Sequence, residues 1–395
     1  MSTPEPVPDP QYVVGRTELE QQRNAALFEG YDYSRSPSAI TGYTGQDLQC
    51  IHSVCRYDEA IRTRVGGRGN YKAGMTQLAD GRILLAVCRE ESARRDDQAK
   101  NIFQMVVYDS TDSGLTWREI ARPGIIGKEP SLVVAADGAV VMTAQYADFR
   151  PDAKRDGAWV CRSTDGGYTW ENNLVPGAAY PRNIIVEQDG SQLFLRPKAD
   201  RQTLEVCRST DHGRTWTFSD GTIAWAPGEL SFYGEIALIR LQSGRLLACL
   251  RRALPPEKGG TLSPGQRGHG FADSILTEST DNGNSWSAPR PLTNTAEVHV
   301  HLLQLADGRL LATYVNYHQP FGVAAIVSQD DGGTWDRNCR VQLSFAAVSG
   351  TGNNGWPVSL QLPDGDLLTC FANNAYPNDE RPTVVCEVVR WRLAP

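Results

Sequence analysis

The sequence predicts an all-β protein, a β-propeller of six blades preceded by a short N-terminal arm. Two repeats found independently of each other predict it. The octet Ser163-Thr164-Asp165-Gly166-Gly167-Tyr168-Thr169-Trp170 recurs without gaps at Ser110 to Trp117, Ser209 to Trp216, Ser279 to Trp286 and, more loosely, Ser328 to Trp335. A Gly turn between two hydrophobic runs recurs at Asp80-Gly81, Asp137-Gly138, Asp189-Gly190, Ser243-Gly244, Asp307-Gly308 and Asp364-Gly365, at intervals of 57, 52, 54, 64 and 57 residues. Self-similarity at roughly 40–50 residues, with four short strands per unit, is the sequence signature of propeller blades. Six turns and five octets give six blades, the last lacking its octet because the chain ends at Pro395.

The octet has the chemistry of a tight link between antiparallel strands. Its Asp carboxylate accepts hydrogen bonds from loop N–H groups, its Gly supplies a positive φ, and its Trp folds back as an apolar plug that is expected to be buried. Each octet-bearing blade then reads strand, Gly turn, strand, loop, strand, octet, strand.

Taken in order, residues 1–45 read as an arm with one short helix. Met1 to Pro10 holds four prolines and no apolar core, so it is not a secretory signal. Thr17-Glu18-Leu19-Glu20 has the pattern of a capping box, and the helix it starts is expected to end near Gly30. Residues 46–395 read as one propeller domain, because six units of about fifty residues use nearly the whole of a 395-residue chain. Gln49 to Tyr57 alternates apolar and polar residues as a strand does. It is expected to complete the last blade and close the ring, which also hides the sheet edges.

Composition narrows the function classes. Charged residues make up 22% of the chain and the net charge is −7, which argues against an extended nucleic-acid surface. No apolar run approaches the ~20 residues of a membrane span. The nine cysteines are odd in number, and Cys88, Cys161, Cys207, Cys249, Cys370 and Cys386 fall inside apparent strands. They read as small buried hydrophobes in a reducing compartment, and the location expected is cytoplasmic. Cys50 and Cys55 lack the pairing and His spacing of a metal site, so neither a metal nor a cofactor is expected.

Blade geometry places the chemistry. The Gly turns and the octets share one face, and the other face receives the starts of the first strands and the ends of the second. Counting eight residues back from each Gly turn gives Lys72, Glu129, Pro181 beside Arg182, Glu235, His299 and Trp356 around the channel mouth. Strand-two ends add Arg89 and Arg251, among others. Ionisable residues where strands normally begin with apolar ones are costly to bury unless paired or functional. Two carboxylates with several Arg, Lys and His at one mouth mark a candidate site.

The octet resembles the Asp box of the sialidase (neuraminidase) superfamily, and the likeness runs from about residue 65 to the C-terminus. Gly234 to Leu247 followed by Arg251 resembles the sialidase segment that carries a Glu, a Gly turn and one Arg of the carboxylate-binding triad. The resemblance implies that Glu235 polarises a neighbouring group and that Arg251 grips substrate. The loop from Arg89 to Asn101, with Asp96 and Asp97, lies where sialidases keep an acid/base Asp. Two positions depart from the family pattern. Asn70-Tyr71-Lys72-Ala73-Gly74 stands in place of Arg-Ile-Pro, and Trp356 stands where the nucleophilic Tyr is expected. An indole offers an N–H donor and no nucleophile, but its face can stack on a sugar.

The function expected is therefore glycoside hydrolysis of an acidic or hydroxyl-rich glycan. Catalytic carboxyls would come from Glu235, Glu129 and Asp97, with Glu235 the ionised member and Glu129 or Asp97 the proton donor. Arg251, Arg182, Arg89, Lys72, His299, His301, Tyr233 and Trp356 would hold the substrate. One alternative is β-elimination from a uronic-acid polysaccharide, with His299 or His301 as base and Tyr233 or Tyr317 assisting the leaving group. Another is a propeller that binds carbohydrate without turning it over.

Overall fold

The computed structural model describes residues 61–67, 69–91, 102–146, 157–177, 181–198, 200–225, 231–253, 272–294, 297–316, 322–337, 340–344, 355–373 and 384–393. The expected N-terminal helix, the run from Gln49 to Tyr57, Cys50, Cys55, Asp97 and Tyr317 lie outside them. Among the described residues there is no helix long and apolar enough to cross a membrane.

Six four-stranded antiparallel sheets form the six blades. Their inner strands are Asn70–Gln77, Gly127–Val134, Ile185–Val186, Phe232–Arg240, Glu297–Gln304 and Gly355–Gln361. In each blade the Gly turn reverses the chain into the second strand, and all six turn glycines hold φ between 81° and 90°. A side chain there would be strained, which is why the turns are punctuated by Gly.

The ring closes through Ile61–Val65, which pairs antiparallel with Val385–Trp391 as the outer strand of the sixth blade. Arg62 of the closing strand forms a buried ion pair with Glu387 of its neighbour.

The apolar core lies between blades as well as within them. Six clusters of buried side chains each span two adjacent blades, one cluster per interface. Trp117, Trp170, Trp216, Trp286 and Trp335 each pack into the interface between their own blade and the one before. The interface between blades five and six has no Asp-box tryptophan; Trp391 fills it, fully buried.

The octets are self-contained loops. Asp165 accepts the backbone N–H of Tyr168 and Thr169 and the hydroxyls of Ser163 and Thr169, at 2.6–3.0 Å. The Trp170 indole N–H donates to the Gly167 carbonyl at 2.9 Å. The same bond recurs at Trp117, Trp216 and Trp286, and Trp335 has no such bond among the described residues; Trp117, Trp170, Trp216 and Trp335 are half-buried, and only Trp286 has the full burial expected from sequence. Octets and Gly turns share a face: Arg82 after the first turn donates to the Gly166 carbonyl, and Arg245 after the fourth binds Asp331.

The six described cysteines, Cys88, Cys161, Cys207, Cys249, Cys370 and Cys386, are buried free thiols. Burial pushes the Cys88 and Cys161 thiols up to about 12, so these two are inert hydrophobes at neutral pH.

Candidate active site

The mouth opposite the octets is built by one local irregularity repeated around the ring. Five inner strands break their hydrogen-bond ladder near its start, between Tyr71 and Ala73, Lys128 and Ser131, Phe232 and Ile236, Val298 and His301, and Gly355 and Val358. The residues inserted there include Lys72, Glu129, His299 and Trp356, which hold φ of 50°, 59°, 59° and 56°. Asn183 of the third blade, next to Arg182, holds 60°. Positive φ at bulky residues is strained, and it persists only where the surroundings enforce it. A bulge re-aims a side chain that would otherwise alternate with its neighbours. Here it turns these side chains onto one another.

The contacts show how closely they converge. Lys72 Nζ donates to Glu129 Oε1 at 2.5 Å, joining blades one and two. The same Nζ lies 3.4 Å from the Trp356 ring centroid, and the His299 ring stacks on Trp356 at 3.7 Å and 28°. Two groups this close cannot share one face, so Trp356 is held between them. Arg182, from the blade diametrically opposite, places its guanidinium carbon 5.3 Å from the same ring. On the far side Arg251 Nη1 donates to Glu235 at 2.9 Å, and the Arg251 guanidinium covers the Tyr233 ring at 4.3 Å.

Under this ring lies an axial cavity of about 400 Å³, lined by the inner strands through residues such as Ser131, Arg182, His301 and Ser359. Lys72, Glu129, Arg182 and Arg251 are each more than nine-tenths buried at its entrance.

Electrostatics fixes the state of Glu129. Burial alone raises the Glu129 pKa, but Lys72 and Arg182 outweigh it and hold the carboxyl below its ordinary value. Glu129 is therefore ionised at neutral pH, against its reading as one of two candidate proton donors; the other, Asp97, lies outside the described residues. Glu235 sits nearer the solvent, its side chain 13% exposed. Arg182 is near enough to both to feel their charges.

Several expected site residues take other places. Arg89 turns away from the mouth to Asn70, Tyr108 and Glu119, because strand alternation sends it to the side of the blade. The face of Trp356 is occupied by His299 and Lys72, so only the indole edge remains for a ligand. His301 lines the cavity below the ring instead of the mouth. Burial, and then the Arg182 charge, push its pKa down to about 3. Its Nδ1 accepts the Ser359 backbone N–H at 3.3 Å, so the proton of the neutral ring sits on Nε2. A neutral imidazole whose basic nitrogen is taken cannot abstract a substrate proton, and the elimination chemistry loses His301 as its base. Glu297, which opens the Glu-x-His-x-His run, is a buried partner of Arg340 at 2.5 Å.

The site residues that eight-residue counting picks out are those brought together. What it missed is Asn183, and the left-handed backbone that turns the ring inward leaves no mark in composition. Among the described residues no group of three or more His, Cys, Asp or Glu could hold a metal ion.

The family model described as "BNR repeat-like domain" matches residues 63–253 and 261–386. No curated protein matches the sequence. Among solved structures, a protein of unknown function from Dyadobacter fermentans superposes with a TM-score of 0.63 at 19% identity, covering 84% of this chain and 98% of that one. An α-L-arabinofuranosidase of Fusarium graminearum, in complex with arabinobiose, gives 0.57 at 15% identity, with 82% and 93% covered. The NanB sialidase of Streptococcus pneumoniae gives 0.56 at 12% identity, with 83% and 70% covered. At these identities the likeness is one of fold.

Proposed function

The chain belongs to the BNR repeat-like domain family of sialidase-type propellers, and on that premise we propose that it is a glycoside hydrolase using Glu129 and Glu235. The observation that carries this reading is the pair of carboxylates at the mouth, each held by its own cation and both acting on Arg182. Hydrolysis of a glycosidic bond needs one carboxyl to protonate the departing oxygen and another to meet positive charge at the anomeric carbon. Propellers of this fold include a sialidase and an arabinofuranosidase.

The roles follow from the surroundings. Glu129 is buried, ionised and fixed by Lys72, and it serves as the base, nucleophile or stabiliser of the oxocarbenium-like transition state. Glu235 lies at the rim, paired with Arg251, and supplies the second carboxyl that cleavage of the bond to the anomeric carbon needs. Arg182 and Arg251 orient the sugar by hydrogen bonds. With Trp356 at the sixth inner strand, a tyrosine nucleophile has no counterpart there.

A panel of nitrophenyl glycosides tests this. We expect turnover of at least one member, and a fall in kcat of at least ~10² for both Glu129→Gln and Glu235→Gln. Parent-like turnover by either variant removes that carboxylate from the mechanism. Failure of the whole panel, together with natural oligosaccharides, defeats the hydrolase reading in favour of a binding propeller.

A further inference from the structure

We propose that this mouth seats an uncharged, hydroxyl-bearing sugar ring and rejects one that carries a carboxylate. The inference rests on reading the mouth as a sugar site, but it does not depend on turnover.

Its basis is the set of polar atoms that the protein leaves unsatisfied. Glu129 Oε2, Arg182 Nη1 and Trp356 Nε1 are buried and have no hydrogen-bond partner among the described residues. They belong to side chains that are more than nine-tenths buried and grouped around one point, since Lys72 bridges Glu129 to Trp356 and Arg182 lies 5.3 Å from that indole. Unsatisfied polar groups at such depth are costly unless a ligand completes them. The set is mixed, with one anionic acceptor and two donors.

A sugar hydroxyl both donates and accepts, so neighbouring hydroxyls on one ring can give a proton to Glu129 Oε2 and take hydrogen bonds from Arg182 and Trp356. A carboxylate only accepts. It would satisfy the two donors, leave Glu129 Oε2 empty and add a like charge beside it. The cations offer little compensation. Lys72 is engaged by Glu129 and Arg251 by Glu235, while Arg182 already feels the charge of both carboxylates. No cluster of uncommitted arginines, of the kind that grips a carboxylate, is present among the described mouth residues. His301 adds a third donor below, its Nε2–H lining the cavity.

Calorimetry on the full chain with matched ligands tests this directly. The pairs are methyl galactoside against methyl galacturonoside and methyl glucoside against methyl glucuronoside, which differ only by a carboxylate, with methyl arabinoside, methyl xyloside and a methyl sialoside added. We expect at least one neutral glycoside to bind saturably, and at least ~10-fold more tightly than its acidic counterpart, because like charges face each other there. Glu129→Gln, checked for folding by its melting transition, should narrow that gap by improving the acidic ligand. Equal or tighter binding of a uronoside or the sialoside overturns the proposal, as does the absence of saturable binding by every neutral member. Binding of neutral sugars without hydrolysis of any glycoside would defeat the hydrolase reading and leave this inference standing. Hydrolysis confined to acidic glycosides would do the reverse.

Discussion

At the scale of single residues, the two glutamates should respond differently to the same change. Glu235→Gln takes the counter-charge from one cation, Arg251, and its amide oxygen can still accept that hydrogen bond, so its melting temperature should fall less than that of Glu129→Gln while kcat falls. Glu129→Gln leaves the buried ammonium of Lys72 without its counter-charge, and should cost about 3–5 kcal/mol of stability as well as activity. Thermal melts of the two variants side by side check this; equal shifts would contradict the greater number of cations that depend on Glu129. The box aspartates make a pH prediction. Asp165 is held down to about 2 by the hydroxyl and then the backbone N–H of Thr169, and Asp211, Asp281 and Asp330 sit at about 2 through the equivalent bonds. Their folded pKa lies below the ordinary 3.8. The stabilisation is therefore complete above about 3.8, and is lost as pH falls from there through 2. The melting temperature should hold down to about pH 4 and drop below it, and Asp165→Asn should remove part of that drop. A variant as acid-sensitive as the parent would show that the box carboxylates are not the groups titrating.

At the scale of elements, the tryptophan plugs carry the clearest expectation. Trp216 is half-buried against Phe194, with ring centroids 4.8 Å apart, whereas Trp391 is 1% exposed and donates its N–H to Thr369 Oγ1 at 2.9 Å. Trp391→Ala should therefore cost about 3–5 kcal/mol, and Trp216→Ala about half as much, because less of its surface leaves water on folding. Urea unfolding of both variants measures the difference, and a larger loss at Trp216 would mean that the box loop itself depends on its indole. Trp391 was visible in the sequence only as the end of a short last blade. Its role as sixth plug follows from where the ring closes.

At the scale of the whole molecule, closure is the step on which the other blades depend. Five blades are each made from one continuous run of chain, whereas the sixth takes its outer strand from Ile61–Val65. The buried Arg62–Glu387 pair sits in that seam. Arg62→Ala should destabilise by about 3–5 kcal/mol, the usual cost of stranding one half of a buried pair. It should also raise proteolysis at the seam before it does so elsewhere. Uniform proteolysis, with the melting temperature unchanged, would show that closure does not depend on this pair.

The sequence by itself determined the blade count, the turns, the face that carries the boxes and the ring positions eight residues before each turn. These are local and periodic properties, set by Gly, by the Ser/Asp/Thr hydrogen-bonding loop and by the alternation of apolar residues, and they need no knowledge of distant contacts. Glu235 beside Arg251 was readable for the same reason, since one hairpin brings the start of the fourth inner strand to the end of the next. The tertiary structure decided which ring residues touch. Lys72, Glu129, Arg182, His299 and Trp356 come from five blades, and their pairing depends on bulges with left-handed backbone that repeat geometry alone does not announce. It also decided that Glu129 is held ionised, because the Lys72 and Arg182 charges that outweigh its burial arrive from neighbouring blades.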